Sequence, residues 1–457
     1  MNDRIISVNN TFGGVTTTLA SNITYKPVGG IAGLTYGNGL GRAIGYDNQY
    51  RPTSISTGDL QNLTYGYDAN ANITTITNTL DNTKNKSYTY DALNRLSSGT
   101  GPWGSISWTY DPAGNRLTQV DITGTSSYGY QAGSNRLISI TGANPTSFSY
   151  DANGNTLTDN AKAYTYNQNQ RLIRAATTQT GDYIYNASGQ RVKKTVAETT
   201  TVFHYDTGGR LIAETASDGT VQTEYVSIYG QPVAKIDANG TSYIHTDHLG
   251  TPAMMTDARG AKVWEIEARP YGDAATISGT STLNFRFPGQ YFDAETGSLY
   301  NYFRDYNTNI GRYIEKDPIG LRGGINPFIY VQNNPINWTD PTGLTPGRGN
   351  VPPMTLPPSP PSSPSTEDVS GPNPPSSRRC CDHPVFHPNV YWTCVYNNVT
   401  SSNEHLDDYL FGGLLIAGGL ASSNPVGWVA AGGGAVGLMA LSNRIGYVCR
   451  QAATYCD

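Results

Sequence analysis

The first 379 residues of this 457-residue chain contain no cysteine. All five cysteines lie in the remainder, so neither disulfides nor thiolate-bound metals can hold the larger part of the chain together. Charge is also sparse, because Asp, Glu, Lys and Arg make up 14% of the residues and the net charge is −5. A chain with this balance has no overall attraction for nucleic acid or for an anionic membrane.

The amino terminus has no long hydrophobic run. Residues 1–6 include Asp3 and Arg4 and are not followed by the apolar core of a secretory signal peptide. Two expectations remain open. Export requires no cleaved signal in this chain, or the chain is the end of a longer parent.

Ten tyrosines recur in the first half of the chain at intervals of 16 to 23 residues. They are Tyr46, Tyr67, Tyr90, Tyr110, Tyr130, Tyr150, Tyr166, Tyr185, Tyr205 and Tyr225. A second aromatic residue stands two positions before most of them, as Trp108 does before Tyr110, and side chains two apart share one face of a strand. Asp111 and Gly114 then predict a turn. Each repeat is therefore predicted to be a β-hairpin whose aromatic face is buried by neighbouring hairpins.

This repeat resembles the YD repeats of RHS (rearrangement hotspot) proteins. The match is close at residues 90–96, 150–155 and 205–211, whereas Gln131 and Asn167 stand where the family has Asp. The resemblance implies a mainly β fold, in which antiparallel hairpins of residues 1–245 form a shell that is a partial or whole β-cage.

From Thr246 the regular repeat gives way to denser motifs. They are TDHLGTP at 246–252, FPGQYFDAETG at 287–297, YNYFRDY at 300–306, GRYIEKDPIGL at 311–321 and DPTGL at 340–344. Together they resemble the RHS repeat-associated core domain, here residues 246–344. The resemblance implies a plug with self-cleaving aspartyl protease activity. Its catalytic residues would be Asp317 and Asp340, and it would cut between Leu344 and Thr345.

The chemistry of the two aspartates is plausible on physical grounds. Two carboxylates held close together cannot both ionise, so one can act as an acid while the other activates water. The alternative is that Asp317 and Asp340 only begin turns, as Asp111 does. Asp305 is expected to form an ion pair on the surface of the plug, beside Arg304.

His245 and His248 flank Asp247 and could suggest a metal site or a catalytic triad. A structural role is the favoured interpretation, because no Ser or Cys with a recognisable nucleophile elbow lies nearby. Neither a metal site nor a cofactor site is the favoured interpretation anywhere in the chain.

Proline dominates the segment that follows the expected cut. Residues 346–377 contain 11 prolines, so residues 345–377 are predicted to be a semi-rigid linker rather than part of a packed core. In the RHS family a variable carboxy-terminal effector, commonly a toxin, begins at this boundary.

Residues 378–457 are predicted to be that variable domain. From residue 345 onward the chain has five Arg, no Lys and seven acidic residues, which disfavours nucleic acid as a partner. Residues 410–441 carry no charge and are rich in glycine, and they predict a small helical hairpin that breaks near Pro425. Insertion of this hairpin into a membrane and burial in a small soluble domain are equally compatible with the pattern.

The five cysteines bracket this apolar hairpin. They are Cys380, Cys381, Cys394, Cys449 and Cys456. Disulfides at the ends of the hairpin are the favoured interpretation, while a metal site and free thiols remain alternatives. No enzyme signature is recognised in the tail.

Two functions from different classes follow from these features. The first is the carboxy-terminal part of an RHS-type polymorphic toxin for intercellular competition, in which the shell encloses or presents an effector that autoproteolysis releases. An immunity protein and a secretion machinery would then be its partners. The second is a YD-repeat interaction protein that binds glycans or cells and has no enzymatic tail. Both place the protein outside a bacterium, secreted or at the cell surface.

Overall fold

The computed structural model describes residues 4–27, 29–160, 162–344 and 346–348. Most of the expected linker, the five cysteines and the expected hairpin at 410–441 lie outside these residues, as does Thr345. Among the described residues, no helix is long and apolar enough to cross a bilayer.

One antiparallel sheet of 27 strands extends from Val8 to Gly279. The first strands are β1 (Val8–Phe12), β2 (Val15–Tyr25), β3 (Ile31–Tyr36), β4 (Gly41–Tyr46), β5 (Pro52–Thr57), β6 (Gln61–Tyr67), β7 (Ile73–Asn78), β8 (Lys86–Tyr90), β9 (Leu96–Gly101), β10 (Gly104–Tyr110), β11 (Arg116–Asp121), β12 (Gly124–Tyr130), β13 (Leu137–Gly142) and β14 (Thr146–Tyr150). The others are β15 (Thr156–Asp159), β16 (Lys162–Tyr166), β17 (Leu172–Ala176), β18 (Gly181–Tyr185), β19 (Arg191–Val196), β20 (Thr199–Tyr205), β21 (Leu211–Ala216), β22 (Val221–Ile228), β23 (Gln231–Asp237), β24 (Gly240–Thr246), β25 (Pro252–Thr256), β26 (Lys262–Ala268) and β27 (Ala274–Gly279).

Each strand of this sheet pairs with the next strand along the chain, so the sheet is a continuous meander. The prediction of antiparallel hairpins over residues 1–245 is confirmed for the described residues from Val8 onward. Residue 246, the first of the expected core, is the last residue of β24, and the same sheet continues through β25–β27.

The repeated turn has the predicted chemistry. In the β10–β11 hairpin the Asp111 carboxylate accepts a hydrogen bond of 2.8 Å from the Asn115 backbone, and Gly114 has a φ of 83°. The strand register shifts between Thr109 and Tyr110, which marks a β-bulge just before the turn. The tyrosine of each motif therefore stands at the end of its strand, next to the turn.

The two aromatic residues of each repeat point to the inner face of the sheet. The first of each pair is buried, as Tyr88, Trp108 and Phe203 show, except Phe148, which is partly buried. Nine of the ten recurring tyrosines donate the hydroxyl to the backbone carbonyl of the first residue of the return strand in the preceding hairpin, at 2.6 to 2.9 Å, whereas Tyr225 donates to the Glu214 carboxylate. The acceptors are the carbonyls of Ile31, Pro52, Ile73, Leu96, Arg116, Leu137, Thr156, Leu172 and Arg191. Consecutive hairpins are thus joined by a side chain as well as by the ladder.

The end of the meander contacts its beginning. The Tyr36 hydroxyl of β3 donates to the Ile244 carbonyl of β24 at 3.1 Å, and Lys84 lies 2.6 Å from Glu265 of β26. Buried aromatic and aliphatic residues of both regions fill the space between them. The sheet therefore curls back on itself with its aromatic face inward.

A small second sheet packs against this inner face. Its strands are β28 (Tyr291–Asp293), β29 (Ser298–Asn301), β30 (Arg304–Asn307) and β31 (Arg312–Tyr313). A further pair, β32 (Trp338–Thr339) and β33 (Gly347–Arg348), follows, and 3₁₀ turns cover Asn82–Lys84, Gly320–Arg322 and Val331–Asn333. Tyr291 contacts Phe203 and Tyr300 contacts Tyr185 of the shell wall, and this smaller part is called the plug below.

Candidate active site

Asp317 and Asp340 come from two segments that the plug brings to the same place. Asp317 lies beyond β31, where its backbone N–H donates to the Pro327 carbonyl at 3.0 Å and its own carbonyl begins the turn to Gly320. Asp340 directly follows β32. Each aspartate thus begins an Asp-Pro turn, Asp340 directly after its strand and Asp317 four residues after β31.

Arg304 of β30 lies between the two aspartates. Its Nη2 is 3.1 Å from Asp317 Oδ2 and 3.4 Å from Asp340 Oδ2, so these two oxygens are no more than 6.5 Å apart. All three side chains are at most 3% exposed. A buried guanidinium that contacts two carboxylates offsets part of their desolvation and fixes their separation.

The Asp340 carboxylate is surrounded by donors. Oδ2 accepts from the Tyr313 hydroxyl at 2.9 Å, and Oδ1 accepts from the Leu344 backbone N–H at 3.0 Å. Asn301 donates to the Tyr313 hydroxyl and to the Asp340 carbonyl, both at 2.8 Å. These contacts orient Asp340 and tie it directly to the residue at the expected cut.

Leu344 also lies beside Asp317. Gly323 separates them: a methyl group on its Cα would overlap the Asp317 carboxylate and stand 3.3 Å from the Leu344 carbonyl oxygen. Arg304 Nε donates to the carbonyl of Gly343, whose φ of 73° favours glycine. The DPTGL turn therefore packs against Arg304, and the Leu344 carbonyl oxygen lies on the side of the turn that is next to Asp317.

The surroundings of Asp317 favour the protonated form of its carboxyl. Burial raises the pKa of its carboxyl, and the neighbouring Asp340 raises it further, while Arg304 and the Ile319 N–H oppose the shift. A carboxyl with a raised pKa retains a proton at higher pH, as a general acid requires.

The structure brings together Asp317, Asp340 and Leu344, the described members of the predicted site. It adds Arg304, which the sequence interpretation had considered only as a neighbour of Asp305. Its position in the motif YNYFRDY gave no sign that a turn of the chain would carry it between the two aspartates.

The prediction of a surface ion pair for Asp305 is wrong. Its side chain points away from Arg304 because neighbouring residues of a strand face opposite sides, and the residue is only 5% exposed. Its neighbour is Glu315, whose Oε2 accepts the Asp305 backbone N–H at 2.7 Å. Arg304 contacts Asp317 and Asp340 instead.

The two histidines around Asp247 are separately engaged. His245 shares a hydrogen bond of 2.9 Å with Thr256, and burial lowers its pKa to about 3. His248 Nε2 bonds the Ile336 carbonyl at 2.8 Å, and the Asp247 carboxylate accepts the Leu249 N–H of its own turn at 2.9 Å. This geometry fits the structural interpretation of both histidines.

Comparison with known proteins identifies a matching family and several similar toxins. The family described as Teneurin YD-shell matches residues 45–323. Toxin protein Tse5 of Pseudomonas aeruginosa is 43% identical over 103 residues, and Double-stranded DNA deaminase toxin A of Burkholderia cenocepacia is 42% identical over 107 residues. Each match covers 22% of this chain but only 8% and 7%, respectively, of those longer proteins.

The fold is also found among solved structures. The crystal structure of TcdB2-TccC3 matches with a TM-score of 0.64 and 23% identity, over 75% of this chain and 20% of that chain. The structure of TcdB2-TccC3-Cdc42 matches with a TM-score of 0.63 and 22% identity, over 74% and 20% of the two chains. At such identities the likeness concerns the fold.

Proposed function

Because this chain belongs to the RHS/YD-repeat family of YD-shell proteins, we propose that it is the shell and core of an RHS-type polymorphic toxin. In this proposal the core cuts the chain after Leu344 and so frees a carboxy-terminal effector, which begins at Thr345. The protein acts outside the bacterium that makes it, in competition between cells, and an immunity protein and a secretion machinery are its partners. The similarity to toxins of Pseudomonas and Burkholderia supports this class.

The observation that carries the proposal is the meeting of two buried aspartates at Leu344. Asp340 accepts the Leu344 N–H, and Asp317 stands on the side of the Leu344 carbonyl. Asp-Pro turns occur elsewhere in the chain without this arrangement, as at Asp111, whose carboxylate serves only its own turn and Asn115. The geometry therefore favours protease aspartates over turn formers.

The two aspartates suit opposite roles in hydrolysis. Asp340, which accepts hydrogen bonds from Tyr313 and Leu344, is the base that takes a proton from water as the water oxygen bonds to the Leu344 carbonyl carbon. Asp317 donates its proton to the Leu344 carbonyl oxygen, and Arg304 stabilises the negative charge that moves between the two aspartates. Asp340 then passes the water proton to the Thr345 nitrogen as the C–N bond breaks, and Asp317 regains a proton as the new Leu344 carboxyl group forms.

A cavity of about 890 Å³ adjoins this site. Thr339, Pro341, Thr342 and Gly347 line it from the core, and Phe203 and Tyr205 are among the residues that line it from the shell wall. The chain on both sides of the expected cut therefore faces the space inside the curled sheet. This supports a role of the shell in holding the first residues of the effector.

Cleavage can be tested on the purified full chain. Wild-type protein is expected to separate under denaturing conditions into residues 1–344 and 345–457, whereas Asp317→Asn and Asp340→Asn leave it whole. Asp111→Asn is the matched control, since it changes an Asp-Pro turn in the shell, and it should be cut like wild type. Cutting of both site variants at Leu344 would exclude these aspartates as catalysts.

The effector can be tested separately. Residues 345–457 are expressed alone, with and without an export signal, while growth and membrane potential are followed. Depolarisation in one compartment is expected for a membrane effector, through residues 410–441. Arrest of growth without depolarisation would indicate an enzyme, and no effect in either compartment would favour the interaction-protein function.

A further inference from the structure

A second pair of acidic side chains lies behind the candidate active site. Asp305 of β30 and Glu315, just beyond β31, are 5% and 2% exposed. The Asp305 backbone N–H donates to Glu315 Oε2 at 2.7 Å. Glu315 Oε1 is buried and has no hydrogen-bond partner among the described residues. A buried carboxylate oxygen without a hydrogen-bond partner destabilises the folded state unless the carboxyl group is protonated.

The environment of the pair favours a shared proton. Burial raises the pKa of Asp305 to about 7 and also raises the pKa of Glu315, and the closeness of Asp305 raises the Glu315 pKa further. Two carboxyl groups this close together titrate as a coupled pair, and ionisation of both carries a large electrostatic penalty. The titratable and charged groups that face them are Arg171, Arg191, Asp293, Arg304, Tyr164, Tyr166, Tyr185 and Tyr300.

The pair connects the two segments that carry the active site. Asp305 follows Arg304 on β30, and Glu315 precedes Asp317 by two residues. Between them, the Ile314 N–H donates to the Asp305 carbonyl at 3.0 Å. The Ile314 carbonyl in turn accepts both the N–H and the hydroxyl of Thr156, at 2.9 Å and 2.8 Å, from shell strand β15. The pair thus lies at a junction of β30, the Asp317 segment and the shell wall.

We propose that Asp305 and Glu315 are positioning residues for self-cleavage, which hold Arg304 and Asp317 together while they share one proton and release them when that proton is lost. The inference rests on the proposed self-cleavage. Once both groups are ionised, two negative charges face each other in a buried place and repel. They also attract the Arg304 guanidinium away from Asp317 and Asp340.

The pH profile of cleavage tests this role. The full chain is purified in urea from freshly induced cells and diluted into buffers of increasing pH, and the cut fraction is followed with time. Glu315→Gln keeps an acceptor oxygen for the Asp305 N–H and cannot ionise, so its alkaline limit of cleavage should lie about one pH unit above that of wild type. Asp305→Asn should shift the alkaline limit of cleavage in the same way. Glu315→Ala removes the acceptor of the Asp305 N–H and should slow cleavage at least tenfold at every pH.

A control and an independent measurement complete the test. Glu214→Gln changes a buried glutamate of the shell that bonds Tyr225 and Tyr291, and its profile should overlay wild type. In uncut Asp340→Asn protein, the infrared band of a protonated carboxyl should be present at neutral pH and should weaken when Glu315→Gln is added.

The outcomes separate the two proposals. If wild type is cut and Glu315→Gln has an unchanged profile, the positioning role is refuted and self-cleavage stands. If wild type is never cut, self-cleavage and the positioning role fail together, whatever the infrared band shows. If the band is absent while wild type is cut, the shared proton is refuted.

Discussion

Replacing Asp293 by alanine is expected to destabilise the protein more than replacing its partner Arg191 by methionine. Arg191 of shell strand β19 is 1% exposed and bonds Asp293 of plug strand β28 through two nitrogens, at 2.5 and 2.9 Å. Burial alone would raise the pKa of Asp293, but Arg191 and Lys194 outweigh it and lower that pKa. The pair is therefore ionised at neutral pH and joins plug to shell.

The asymmetry follows from what each variant leaves behind. Asp293→Ala leaves Arg191 buried with no carboxylate in contact, although the Tyr300 ring lies 4.2 Å from it, and breaking a buried pair in this way costs about 3–5 kcal/mol. Arg191→Met leaves Asp293 with Lys194 at 2.8 Å and fills much of the vacated space. Since a charge-assisted hydrogen bond contributes about 1.5–3 kcal/mol, we expect this variant to cost about 2 kcal/mol less.

Urea unfolding of the uncut Asp340→Asn protein, followed by tryptophan fluorescence, measures these differences. The double variant should cost about 1.5–3 kcal/mol less than the two single variants added together. The matched control is the exposed pair Arg174 and Asp182, where either substitution should cost less than about 1 kcal/mol. If Arg191→Met is as damaging as Asp293→Ala, or if the effects add, the assignment of a buried clamp is wrong.

Three other predictions concern the repeat, the acidic pair and the cut. Tyr130→Phe removes the 2.9 Å hydrogen bond to the Arg116 carbonyl and should cost about 1 kcal/mol in urea unfolding, whereas Tyr50→Phe, in an exposed turn, should cost less than about 0.5 kcal/mol. The raised pKa values of Asp305 and Glu315 mean that the folded state binds the extra proton. The free energy of urea unfolding of the uncut Asp340→Asn protein should therefore fall by up to about 1.4 kcal/mol per pH unit as pH rises from their ordinary pKa values toward about 7, and adding Glu315→Gln should flatten this slope. Gly323→Ala places a methyl group against the Asp317 carboxylate and should abolish cleavage, while Gly347→Ala, which meets nothing within 4 Å, should be cut normally.

The hairpins could be predicted from sequence because their signals are local. An aromatic pair two residues apart and an Asp-x-x-Gly turn, as at Trp108 to Gly114, determine a strand and its end within one repeat. The link from each tyrosine hydroxyl to the preceding hairpin is not local. The acceptor is a backbone carbonyl, which has no residue signature, as with Tyr110 and Leu96.

The active-site residues also divide into those with a local sequence signal and those without one. Asp317, Asp340 and Leu344 stand in motifs that can be recognised in the chain. The roles of Arg304 and Glu315 depend on the pairing of β30 with β31 and on burial of both side chains against the shell. A short segment of sequence carries no signal for either of these long-range features. The error over Asp305 has this origin, because a charged residue is normally exposed and its neighbours in sequence gave no reason to expect otherwise.

The identity of the bond that breaks tests the central claim most directly. Full-length protein is synthesised in a cell-free system prepared in water enriched in heavy oxygen, and the fragments are analysed by intact mass and peptide sequencing. We predict that the carboxy-terminal fragment begins at Thr345, that one heavy oxygen enters the new Leu344 carboxylate, and that Asp317→Asn and Asp340→Asn give neither fragment. A chain that stays whole, a cut at another bond, or unchanged cutting in both variants would contradict the account.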